Sequence, residues 1–93
     1  MEMITVGGQE FASYRIPFAG CNLLFISGEN GALGCGYFSI DAANKFGHAL
    51  AIVTGVNSFH DMLSAEVKVC SAKAAELGVT VGMSGAEALL KMN

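Results

Sequence analysis

No apolar run in these 93 residues is longer than a short strand. The two longest, Leu23 to Ile26 and Ala49 to Val53, stop at Ser27-Gly28 and Thr54-Gly55. A membrane-spanning helix needs about 18–20 consecutive apolar residues, so the core must be gathered from several short elements. Yet 53% of the residues are hydrophobic and only 14% are charged. A domain this small buries a smaller share of its surface than a larger one, and here polar residues are too few to cover the remainder. The surplus implies apolar surface set against a second copy of the chain.

The net charge of −3 is spread over singly placed residues. Nucleic-acid binders carry a basic patch or stripe, and none is visible. Cys21, Cys35 and Cys70 are an odd number without C-x-x-C spacing. That argues against a disulfide framework or a zinc site and fits a reducing compartment. The start of the chain lacks a basic-then-apolar leader pattern, because Glu2 and Thr5 interrupt it. The expectation is a cytoplasmic, self-associating protein with no membrane or nucleic-acid partner.

Along the chain, Met3 to Val6 is a short β-rich run broken by Gly7-Gly8. Glu10 to Phe18 alternates, which predicts a strand with Ala12, Tyr14 and Ile16 on its buried face. Pro17 has no N–H and belongs at a strand end or a sheet edge. Leu23 to Ile26 is continuous enough to be covered on both faces. Asn30-Gly31 suits a hairpin, with Ala32 to Phe38 returning antiparallel. A short helix follows from Ser39 to Phe46, with Gly47 at its end. His48 to Thr54 reads as an interior strand reached across that helix, as in parallel or mixed sheets. Ser58 to Asp61 forms a capping-box pattern opening a helix to Leu63. Val67, Cys70, Ala74 and Leu77 then recur at helical spacing and predict a helix ended by Gly78. Glu66 to Val69 also alternates like a strand, but the helical pattern covers more residues. Ser84 to Glu87 is a second capping box before a last helix with Ala86, Leu89 and Leu90 inward.

The order of these features carries a resemblance. Asn22-Leu23-Leu24, Cys35-Gly36, Gly55-Val56 and Met62-Leu63-Ser64-Ala65 are followed by Ala74 to Val79 and Gly82 to Leu89. With these pieces the chain resembles the YunC-like family, small bacterial and archaeal proteins classed as a domain of unknown function. The resemblance spans nearly the whole chain. It implies an α+β domain whose N-terminal β region, residues 1–38 here, mediates tetramerisation. It implies no reaction, cofactor or catalytic residue. Family members often have an acidic residue where this chain has Ser39, with Asp41 two residues later, and the helix from Ser39 is about one turn short.

The chemical candidates gather around Leu33 to Phe38, where the chain passes from strands to helices. Cys35 between two glycines could be a nucleophile or redox thiol, given a helix N-terminus at Ser39 or a base from His48 or His60. A cysteine in a strand is more commonly a small buried apolar residue, and Cys21 and Cys70 read that way. Gly34, Gly36 and Ser39 make a degenerate G-x-G-x-x-G, which with Asp41 forms a candidate ligand-binding set. Ser39 replaces the third glycine, and no acidic residue follows at the dinucleotide-binding distance. His48, His60 and Asp61 lack ligand spacing, so no metal site is expected.

The sequence therefore reads as one α+β domain over residues 1–93. An N-terminal antiparallel meander leads to a helix, one buried core strand and C-terminal helices. Two functions fit: a homo-oligomer that binds a small ligand, or an enzyme using Cys35.

Overall fold

The computed structural model describes all 93 residues. The strands are β1 (Glu2–Val6), β2 (Gln9–Phe18), β3 (Cys21–Ser27), β4 (Ala32–Gly34), β5 (Leu50–Ile52) and β6 (Val69–Cys70). The helices are α1 (Ile40–Phe46), α2 (Phe59–Ser64), α3 (Ala72–Glu76) and α4 (Gly85–Lys91). The strands form a single sheet in sequence order. Each neighbouring pair is antiparallel except β4 with β5, which are parallel and joined through α1. The fold is α+β, as expected, and no helix is long and apolar enough to cross a membrane.

The first hairpins follow from their turns. Gly7 and Gly8 both have positive φ, 56° and 80°, as a two-residue type I′ turn requires. Ala19 and Gly20 do the same between β2 and β3, at 46° and 84°. β1 pairs with β2 only as far as Ser13. Tyr14 to Phe18 therefore have β3 as their sole neighbour, and Pro17 sits where one side of the strand is open. The β2–β3 hairpin projects past β1 as a two-stranded arm.

Residues opposite one another in a ladder share a face. One face carries Phe11, Ser13, Leu24, Ile26, Leu33 and Ala51, and packs with Met62, Ala88 and Leu89 of α2 and α4 into the main core. The other carries Tyr14, Ile16, Leu23, Phe25, Ala32, Leu50 and Ile52. There α1 covers only β4 and β5, through Ala43 and Ile40. The β2–β3 part of that face has no helix over it.

Several expectations change. On β2, Phe11 and Ser13 are the buried residues, while Tyr14 and Ile16 are 39% and 55% exposed. Alternation separates two faces but does not say which one the helices will cover. On β3, only Leu24 and Ile26 are fully covered, and the other face is half-buried. In α4, Ala88, Leu89 and the following Met92 point inward, whereas Leu90 is 37% exposed.

The predicted helix over Val67–Leu77 is replaced by β6 and the short α3. The Val67 N–H donates to the Met83 carbonyl at 2.8 Å, Lys68 to Ile52 at 2.9 Å, and Ser71 to Leu50 at 2.8 Å. A continuous helix would leave the Leu50 and Ile52 carbonyls on the β5 edge and that of Met83 unpaired, and buried backbone groups are almost always paired. Val67 and Val69 are also β-branched, which favours strand over helix. The apolar residues still turn inward, with Val67 and Ala74 buried, but from two elements. The second half of the chain thus has two strands rather than one.

Candidate functional site

β4 and β5 run parallel, and the chain leaves their carboxyl ends toward opposite faces of the sheet. After β4 it crosses to α1; after β5 it passes to α2 in the main core. Such divergence opens a crevice beyond the strand ends, where ligands of open sheets commonly sit. Here it is a cleft of about 450 Å³, walled by Cys35, Gly36 and Tyr37 after β4, by Gly55 to Asn57 after β5, and by the turn before and start of β3.

The backbone sets much of its character. Among its wall residues, Gly36, Tyr37, Gly55 and Val56 have backbone N–H groups with no acceptor within the protein. Asn22 and Asn57 add amide groups, and no carboxylate, lysine, arginine or histidine is in the wall. Tyr37 is 58% exposed and its hydroxyl lies 2.9 Å from the Cys21 sulfur. The Cys21 thiol donates to the Phe18 carbonyl, also at 2.9 Å, which leaves the sulfur to accept from Tyr37. The hydrogen bond and the charge repulsion that a Cys21 thiolate would exert hold Tyr37 above the usual tyrosine range. It therefore stays a hydrogen-bond donor at neutral pH.

Cys35 has a local structural task. Its N–H donates to the Leu24 carbonyl at 3.1 Å, continuing the β3–β4 ladder. Its own carbonyl turns away and accepts from Phe38 at 3.1 Å. The Leu24 N–H, which has lost its ladder partner, donates to the Cys35 sulfur at 3.4 Å. The thiol thus closes the sheet where the strand ends, and it is only 5% exposed. Iodoacetamide labelling of the folded protein, read by peptide mass spectrometry, should modify the half-buried Cys21 at least about tenfold faster than Cys35, because reaction requires access to the thiolate. Equal rates would overturn this assignment.

The other sequence candidates disperse. A Cβ on Gly34 would lie 2.7 Å from the Phe38 ring, so that glycine serves packing. Gly36 does line the cleft. Ser39 caps α1 by accepting from the Ala42 N–H at 3.2 Å, and borders a separate cavity. Asp41 is exposed in the first turn of α1 and borders neither space. Neither His48 nor His60 lines the Cys35 cleft. Cys70, expected on a helix, lies half-buried in β6. No three His, Cys, Asp or Glu side chains gather in a metal-binding cluster. Tyr37 and Asn57 were not singled out from the sequence, and Asn22 entered only as part of a family motif. The available signal was Gly55-Val56 directly after an apolar strand, which marks a strand end but not its neighbour.

The comparisons with known proteins agree with this architecture. The pattern described as "Domain of unknown function (DUF1805)" matches residues 34–92. The uncharacterized protein YunC of Bacillus subtilis (strain 168) is 31% identical over 93 aligned residues, covering 96% of this chain and 92% of that protein. The crystal structure of TA1206, a protein of unknown function from Thermoplasma acidophilum, superposes with a TM-score of 0.93 at 32% identity. That match covers 99% of this chain and 90% of the other. A family pattern over residues 34–92, 31% identity to YunC over nearly the whole chain and a shared fold make this chain a member of the YunC-like DUF1805 family, whose function is unknown.

Proposed function

We propose that the protein is a cytoplasmic homo-oligomer, a tetramer built through the β region of residues 1–38, whose cleft binds a small oxygen-bearing ligand. The observation that carries the oligomer is the uncovered face of the β2–β3 arm. Tyr14, Ile16 and Phe18 are 39%, 55% and 57% exposed on it, and Leu23 and Phe25 lie beside them half-buried. A stable interface covers about 800 Å² per partner and is most apolar at its centre, and this row of side chains supplies such a centre. The three unpaired thiols suit a reducing compartment.

Light scattering should give four times the 9.6 kDa chain mass. The double change Ile16→Lys and Phe18→Lys should reduce it to the chain mass while circular dichroism stays unchanged, since neither side chain enters the core. A wild-type protein that is monomeric at micromolar concentration would defeat the oligomer reading.

The cleft is the ligand part of the proposal. Its free backbone N–H groups are donors, so the complementary ligand presents carbonyl or carboxylate oxygens. A thermal-shift screen of metabolites identifies it, because a ligand that binds the native state raises its stability. The alternative, an enzyme with Cys35 as nucleophile or redox thiol, draws on that residue's place in the cleft wall. The labelling experiment above separates the two readings.

A further inference from the structure

A second cavity, sharing no wall residue with the cleft, lies between α1 and the sheet face of Phe25, Ala32 and Leu50. Its volume is about 520 Å³, within the range of about 300–1,000 Å³ typical of small-molecule sites. The floor is aromatic: Phe25 and Phe38 stack with ring centroids 5.1 Å apart and planes 32° from parallel, and Phe46, 66% exposed, stands in its wall. Its α1 wall is built from small residues, including Ala42 and Ala43, which leave the space unfilled.

The polar end holds one cation, Lys73. Lys73 and His48 border the cavity, and no aspartate or glutamate does, although the chain has 8 acids against 5 Lys and Arg. Both positions are set by hydrogen bonds from elsewhere. Asn44 of α1 accepts from the Ala72 N–H at 2.8 Å, which ties the start of α3, and so Lys73, to α1. The buried Ser71 hydroxyl donates to the His48 carbonyl at 2.7 Å. A lysine carried on backbone held in this way, beside an unfilled aromatic space with no internal counter-charge in the wall, is complementary to one kind of molecule.

We infer that this cavity binds a small molecule with an apolar body and a single carboxylate. The body lies against Phe25, Phe38 and Phe46, and the carboxylate meets Lys73 and His48. The site is separate from the cleft and does not depend on what the cleft binds.

Octanoate is the probe, with octylammonium as its charge-reversed counterpart, titrated into the isotopically labelled full-length protein in its native assembly. Octanoate should saturate one site per chain and shift the amide resonances of Ala42, Ala43, Phe46 and Lys73. Octylammonium should bind at least about tenfold more weakly, the scale of one charge-assisted hydrogen bond. Lys73→Met keeps the apolar stem and should remove that preference by weakening octanoate about tenfold. Ala42→Trp changes an exposed helical residue, should leave the fold intact by circular dichroism, and should abolish binding by filling the space. Equal binding of the two probes, retained preference in Lys73→Met, or shifts confined to Tyr14, Ile16 and Leu23 on the arm would each overturn the inference. So would the absence of saturable octanoate binding.

Discussion

Replacing Gly85 by alanine destabilises the domain by at least about 3 kcal/mol, the upper range for forcing extra volume into a packed core, and leaves little folded protein at 37 °C. Gly85 is the first residue of α4 and is fully enclosed. A Cβ there would fall on the Met62 carbonyl oxygen and come within 2.9 Å of a Leu33 methyl. The obstacle is backbone at the end of α2, not a side chain that can rotate. Relief requires α4 to move away from α2 and the sheet, which opens the core at Ala88 and Leu89. The Gly85 N–H, which donates to the Ala65 carbonyl at 2.9 Å, would be displaced with it. Gly36→Ala is the matched control, because its new methyl would lie 3.5 Å from Thr54, an ordinary contact, and its φ is not positive. That control should stay within about 0.5 kcal/mol of wild type. The measurement is a denaturant midpoint at one fixed chain concentration, because assembly adds to apparent stability. Equal midpoints for the two variants would refute the packing argument.

Ser71→Ala should cost about 3 kcal/mol, from buried groups left without partners. Ser71 is fully buried and its hydroxyl makes three hydrogen bonds. It donates to His48 at 2.7 Å, and accepts from Leu50 at 2.9 Å and from Ala74 at 3.3 Å. One oxygen therefore closes the β5 edge, caps α3 and holds the approach to β5. Alanine keeps the volume but leaves two buried N–H groups and one part-buried carbonyl unpaired. Hydrogen exchange separates this from a general loss of stability: the Leu50 amide should lose protection beyond what the lower global stability explains. Unchanged relative protection at Leu50 would show that the hydroxyl bond there contributes nothing.

Both positions lie in stretches whose local signals were visible, yet their weight was not. Ser84 and Glu87 form the expected reciprocal capping box, with bonds of 3.1 and 3.4 Å. The glycine inside that box reads as a tolerated helix residue until α2 is placed against it. Ser58 also caps as expected, accepting from Asp61 at 3.1 Å, but the Asp61 carboxylate takes the Asn57 N–H instead of closing the box. Ser71 sits in the middle of the predicted Val67–Leu77 helix. Only the β5 edge, about twenty residues earlier in the chain, converts it into a cap and a strand end.

The candidate site divides in the same way. Cys35-Gly36 was legible because a thiol between glycines at a change of secondary structure is a local feature. Its partners were not. Cys21 meets Tyr37 across 16 residues, and Leu24 meets the Cys35 sulfur across 11. The second cavity draws Phe25 from β3, Ala42 from α1, His48 from the loop before β5 and Lys73 from α3.

What the sequence alone determined are the features closed within a few residues: the Gly7-Gly8 turn, the serine caps of α2 and α4, the left-handed Gly47 after α1, and the buried Ala49 to Val53 run. The apolar excess and the family resemblance were legible too, because composition and ordered short motifs need no coordinates. The tertiary structure decided which face of β2 meets the core, why Val67 to Leu77 breaks into strand and helix, and which side chains meet in each cavity. Those outcomes depend on hydrogen-bond acceptors and packing surfaces supplied by distant segments, and a linear pattern of apolar residues does not specify which distant segment supplies them.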